Sequence, residues 1–127
     1  MTQILVVDDE KIIRDLLHLA LSQAGYEVVE ACNGLEGLAV YYQTGIELVI
    51  TDLDMPKMDG VTMINALRSQ YGTIPIIVIS GMTWSQGDQV KALGVQYTFQ
   101  KPFCLRELLD AVHTLVRGET PAKRSRY

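Results

Sequence analysis

Several features are scarce in this sequence, and each shortage excludes something. The only cysteines in 127 residues are Cys32 and Cys104, which fit no metal or dithiol spacing. Two free thiols are expected, as in a reducing compartment, rather than a disulfide scaffold. No apolar run approaches the roughly 20 residues that a bilayer-spanning helix needs. Asp8 and Asp9 cut short the first apolar stretch, so no signal peptide is expected and the protein reads as cytoplasmic, with no membrane segment. Basic charge is also short: 11 Lys and Arg stand against 15 Asp and Glu, for a net charge of −4. Direct binding of nucleic acid by this chain is therefore not expected. Internal repeats and low-complexity tracts are missing as well.

What is present is enough apolar material for a core. The hydrophobic fraction is 48% and the charged fraction 20%, in a length that accommodates one domain. Ile4-Leu5-Val6-Val7, Leu48-Val49-Ile50 and the run from Ile74 to Ile79 are short, continuous and rich in β-branched residues. Strands covered on both faces look like this. Val28-Val29 and Tyr97-Thr98-Phe99 are more mixed and read as strands nearer the sheet edges. Helical spacing lies between them. In residues 11–24, Ile12, Ile13, Leu16, Leu17, Ala20 and Ala24 mark an apolar face, with Lys11, Arg14, Asp15, His18 and Ser22 opposite and Gly25 as the stop. Weaker helices are expected at roughly 34–43, 59–71 and 86–93. A strong one at 104–117 has Leu105, Leu108, Leu109, Val112, Leu115 and Val116 on one stripe, and His113 on the other. Five strand–helix alternations imply an α/β fold: a parallel sheet with helices on both faces.

The stretch "TDLDMPKMDG" brings acid to the end of a buried strand. Asp8 and Asp9 follow strand one, Asp52 ends strand three, Ser80 ends strand four and Lys101 ends strand five. In a parallel sheet these ends share one edge, and open α/β sheets bind ligands outside that edge where strand order reverses. With the order 2-1-3-4-5, which the resemblance given next supplies, the reversal falls between strands one and three and gathers Asp8, Asp9 and Asp52. At about 4 Å and an effective dielectric near 20, each like-charged pair costs roughly 4 kcal/mol. A hard divalent ion, Mg2+ above all, relieves such an oxygen-only cluster. Acid, metal, hydroxyl and lysine around one carboxylate describe an aspartyl-phosphate site. Asp59, just before a helix, reads as an N-cap and not as a ligand. His18 and His113 read as surface residues.

"ILVVDDE", "VITDLDMPKMDG", "IIVISG" and "QKPF", in this order and at these separations, closely resemble the response-regulator receiver (CheY-like) family of two-component signalling, over about residues 2–117. The resemblance implies a flavodoxin-like, five-stranded parallel sheet. It implies Asp52 as phosphoacceptor and Mg2+ bound by Asp8, Asp9, Asp52 and the main-chain carbonyl of Asp54. Ser80 would be the switch hydroxyl and Lys101 the phosphoryl-binding lysine, with a cis bond to Pro102. The implied partners are a sensor histidine kinase or phosphotransfer protein as donor, and a downstream protein or output domain as reader. A phosphorylation-dependent homodimer fits the same scheme. The chain would catalyse only its own phosphorylation and dephosphorylation, without turnover of a separate substrate.

Three positions depart from the family pattern. Thr98 stands three before Lys101, where a ring is usual. Asp54 and Met82 stand two beyond Asp52 and Ser80, where they flank the approach of water. Shielding by Met82 is expected to give a long-lived phosphorylated state. With no ring at 98, Ser80 is expected to couple through the loop bearing Trp84, and Gly87 to leave the neighbouring helix weak and movable. The receiver domain is expected over residues 1–118, with 119–127 as a flexible tail or the start of a linker. Asp52-Leu53-Asp54 also resembles the DxD of haloacid-dehalogenase-type phosphatases, but those place it after the first strand. A pseudo-receiver would lack part of the acid–hydroxyl–lysine set, and the acid opposes an anionic flavin phosphate.

Overall fold

The computed structural model describes residues 2–43, 45–81 and 92–118. Five parallel strands form one sheet: β1 (Gln3–Val7), β2 (Glu27–Ala31), β3 (Ile46–Thr51), β4 (Ile76–Ser80) and β5 (Tyr97–Gln100), in the order β2-β1-β3-β4-β5. The described helices are α1 (Lys11–Gln23), α2 (Gly34–Gln43), α3 (Gly60–Tyr71) and α4 (Leu105–Val116). The helix expected at 86–93 falls mostly outside the described residues, as do Met82, Trp84, Gly87 and the segment 119–127.

Alternation along the central strands builds two cores. Ile4, Val6, Leu48, Ile50, Ile77 and Ile79 point to one face, where Leu17 and Leu21 of α1 and Leu108, Val112 and Leu115 of α4 cover them. Leu5, Val7, Val49, Ile76 and Val78 point to the other, under Met63, Ile64 and Leu67 of α3 and Leu38 of α2. Each such side chain contributes about 1.5–3 kcal/mol of transfer free energy. β1, β3 and β4 have no polar face to offer solvent, which is why they read as unbroken apolar runs.

Two readings of the helices need correction. Ile12 is 81% exposed and Leu16 41%, while Leu17 and Leu21 are buried. The buried stripe of α1 thus runs through Ile13, Leu17, Ala20 and Leu21. Arg14, assigned to the outer face, is half-buried and donates to the carbonyl of Asp8 at 2.6 Å. His113 of α4 is likewise half-buried: its Nδ1 meets the hydroxyl of Tyr26, which lies in the turn between α1 and β2.

The punctuation follows expectation. Gly25 takes φ +97° after α1, a conformation that costs glycine little. Asp59 caps α3, accepting from the Thr62 N–H at 2.8 Å. The other end of α3 is held by Arg68, which sequence reasoning did not single out. Its guanidinium donates to the carbonyls of Ile74 (2.6 Å), Leu93 (2.9 Å), Gly72 (3.1 Å) and Gly94 (3.1 Å).

Candidate functional site

The C-terminal ends of β1 and β3 lie side by side, with Val7 paired to Thr51. Asp8 and Asp52 are the next residues on each strand, and the Asp52 N–H donates to the carbonyl of Val7 at 2.9 Å. Both carboxylates are buried: Asp8 is 1% exposed and Asp52 4%. Asp52 Oδ1 accepts from the N–H groups of Leu53 (2.7 Å) and Asp54 (3.3 Å), leaving Oδ2 toward Lys101. The backbone of Asp52 is fixed too. A Cβ on Gly60 would sit 2.2 Å from the Asp52 carbonyl oxygen, so the start of α3 is packed against the acid's main chain, and only glycine fits there.

Lys101 follows β5, held by its own N–H donating to the Ser80 carbonyl at 2.9 Å. Its Nζ reaches past β4 to Asp8 Oδ2 (3.0 Å), Glu10 Oε1 (2.8 Å) and Asp52 Oδ2 (3.2 Å). Burial raises the Asp8 pKa above its ordinary value, against the Glu10 N–H and the Lys101 ammonium, which pull it down. For Lys101 burial works toward a lower pKa. Its hydrogen bonds to the Glu10 and Asp8 carboxylates, with the charges of Asp52 and Asp8, outweigh it and hold the lysine above its usual range.

Ser80, at the end of β4, is fully buried, and its Oγ has no hydrogen-bond partner among the described residues. A buried donor left unpaired is costly. It suits a site built to receive an oxyanion. The bond between Lys101 and Pro102 is cis.

Of the residues singled out from sequence, Asp8, Asp52 and Lys101 meet directly, and Ser80 flanks them one strand away. Asp9 is exposed. The carboxylates whose oxygens lie within 4.8 Å of one another are Asp8, Glu10 and Asp52. This oxygen-only donor set fits a hard divalent cation. Asp54 is exposed and contributes its N–H to Asp52. Thr98 is exposed on β5, while Tyr97 and Phe99 turn to the opposite face and stack, with ring centroids 6.1 Å apart. Glu10 was not foreseen. Its only signal was an acid at a helix N-cap, a position where solvent is the ordinary partner.

Residues 4–113 match the model of the response regulator receiver domain. A probable transcriptional regulatory protein of Picosynechococcus sp. is 39% identical over 126 residues, covering 92% of this chain and 50% of that protein. The response regulator MprA of Mycobacterium sp. is 36% identical over 121 residues, covering 94% of this chain and 52% of that one. The chain thus spans about half the length of these curated relatives. Among solved structures, the Thermotoga maritima response regulator TrrA in complex with Mg2+ and BeF has a TM-score of 0.82 at 34% identity, covering 91% of this chain and 99% of that chain. The chemotaxis response regulator CheY4 of Vibrio cholerae gives a TM-score of 0.81 at 34% identity, covering 89% and 97%.

Proposed function

This chain belongs to the response regulator receiver domain family of two-component signalling, and from that premise we propose that Asp52 is its phosphoacceptor. The observation that carries the reading is the buried Asp52 carboxylate at the rim of the sheet with the Lys101 ammonium 3.2 Å away. Asp52 Oδ2 attacks the phosphorus of a phosphohistidine or small acyl phosphate. The bond to the donor breaks and the donor leaves with its electron pair. Two main-chain N–H groups on Oδ1 keep Oδ2 aimed outward. Lys101 donates to the phosphoryl oxygens as charge develops on them, and Ser80 Oγ supplies a donor that has no partner among the described residues.

Asp8 and Asp52, with Asp9 and the Asp54 carbonyl as the resemblance implies, are the residues that would hold Mg2+. When bound, Mg2+ neutralises charge on the transferring group and relieves the carboxylate repulsion. Receiver domains are generally not turnover enzymes. The proposed partners are a histidine kinase or phosphotransfer protein in the cytoplasm and a downstream target or output domain. The relatives' greater length and their description as transcriptional regulators favour the output domain. Residues 1–118 are proposed as the receiver unit.

The test is intact-mass measurement after incubation with acetyl phosphate and Mg2+. Wild type should gain one phosphoryl group and Asp52→Asn none. A phosphoryl mass on Asp52→Asn would place the acceptor elsewhere.

A further inference from the structure

Lys101 is the only residue described here that joins the ends of β1, β3 and β5, and the way its charge is shared has a chemical consequence. An ammonium has three N–H donors. Lys101 Nζ meets three carboxylates, so its donor capacity is filled before any phosphoryl group arrives. The shortest of the three contacts, 2.8 Å, goes to Glu10, which is neither the proposed acceptor nor one of the residues proposed to hold Mg2+.

The local structure around Glu10 shows where its side chain is committed. Glu10 is the N-cap residue of α1, and its side chain makes no capping hydrogen bond. Ser, Thr, Asp and Asn are the residues that satisfy a helix start, and Glu is a poor substitute. Its carboxylate turns to Lys101 instead, while its own N–H is tied to Asp8 Oδ1 at 2.8 Å. That bond fixes the backbone from which the side chain reaches. The two partners differ in exposure: the Glu10 side chain is 59% exposed and that of Lys101 17%. An exposed ion pair is screened by solvent, so the Glu10 contact costs least to give up.

We infer that Glu10 is a positioning residue: it holds the Lys101 ammonium at the site mouth in the resting protein and must release it for the lysine to serve the phosphoryl group. The inference rests on Asp52 being the acceptor. As the phosphoryl group forms, its oxygens need a donor from Lys101. One existing contact must be given up, and the Glu10 contact is the most dispensable. Glu10 thereby slows phosphorylation by making the lysine leave a partner first. The effect depends on contact rather than on charge alone, and that distinction can be tested.

Glu10→Gln removes the charge. Glu10→Asp keeps it but shortens the arm by one methylene, which takes the carboxylate out of reach of Nζ. Both variants should react with acetyl phosphate in saturating Mg2+ about two- to fivefold faster than wild type, the worth of one partly exposed ion pair. In the resting protein without Mg2+, the Lys101 15Nζ resonance should shift in both variants. This readout needs no phosphorylation, so it tests the contact even if Asp52 is not the acceptor, whereas failure of wild type to gain phosphoryl mass counts against Asp52 alone. An Asp variant that keeps the wild-type rate and resonance overturns the inference in favour of bulk charge. Unchanged Lys101 resonances in both variants overturn it outright. Severalfold weaker Mg2+ binding in Glu10→Gln would make the residue a metal ligand and overturn it as well.

Discussion

Burying a hydroxyl without a partner costs roughly 1–3 kcal/mol, and among the described residues Ser80 Oγ is in that position. Ser80→Ala should therefore melt no lower than wild type, and up to about 1 kcal/mol higher in stability, while losing response to phosphorylation. A large drop in Tm would mean that the hydroxyl has a structural partner. Lys101 is the opposite case. Lys101→Ala leaves Asp8 and Asp52 buried with no cation between them, which should cost about 2–4 kcal/mol at pH 7, somewhat under a fully buried pair because Lys101 is partly exposed. The pH dependence follows from Asp8. Its folded pKa is raised above the unfolded value, so its contribution to stability is full below the unfolded pKa and is lost as pH rises through the folded one. Without Lys101 that penalty deepens. The gap between wild type and Lys101→Ala should narrow on acidification through the raised Asp8 pKa, as read from urea midpoints along a series of falling pH. A gap that widens on acidification would contradict the burial argument.

Arg68 belongs to the scale of elements, because it joins three of them. Its four carbonyl contacts tie the end of α3 to the approach of β4 and to Leu93 and Gly94 ahead of β5. Arg68→Ala should cost about 1–3 kcal/mol, and Arg68→Lys should not restore it, since an ammonium cannot span the same fork. Faster amide exchange at Ile74 and Gly94 is the expected local sign. Arg68 was illegible in the sequence because its partners are main-chain atoms, which no pattern of residue types reports. The strands were legible because burial on both faces leaves only apolar residues between the polar ends. The buried side of α1 was not. With Ile12, Ile13, Leu16, Leu17, Leu19, Ala20 and Leu21 in one helix, apolar residues occupy more than one face, and several stripes satisfy a 3.6-residue period. Asp8, Asp52 and Lys101 could be found because strand ends are a fixed address in a parallel sheet. Glu10 could not, because a helix start is a common place for an acid.

For the molecule as a whole, one sheet shared by two cores implies that neither face can unfold alone. Leu21→Ala on one side and Leu67→Ala on the other should each cost about 2–5 kcal/mol. Each should leave a single denaturant transition with the same midpoint by fluorescence and circular dichroism. Two separated transitions in either variant would show that the faces are independent. No described helix is long and apolar enough to cross a membrane. The contacts of Lys101 also bear on the order in which the chain assembles. They join residues 93, 91 and 49 positions apart, among the longest closures the chain makes, and such closures form late because so much chain must be ordered first. During synthesis Asp8 and Asp52 emerge well before the lysine that balances them. A polypeptide stopped short of β5 would carry its nucleophile without its counter-charge, so competence to be phosphorylated waits on completion of the last strand.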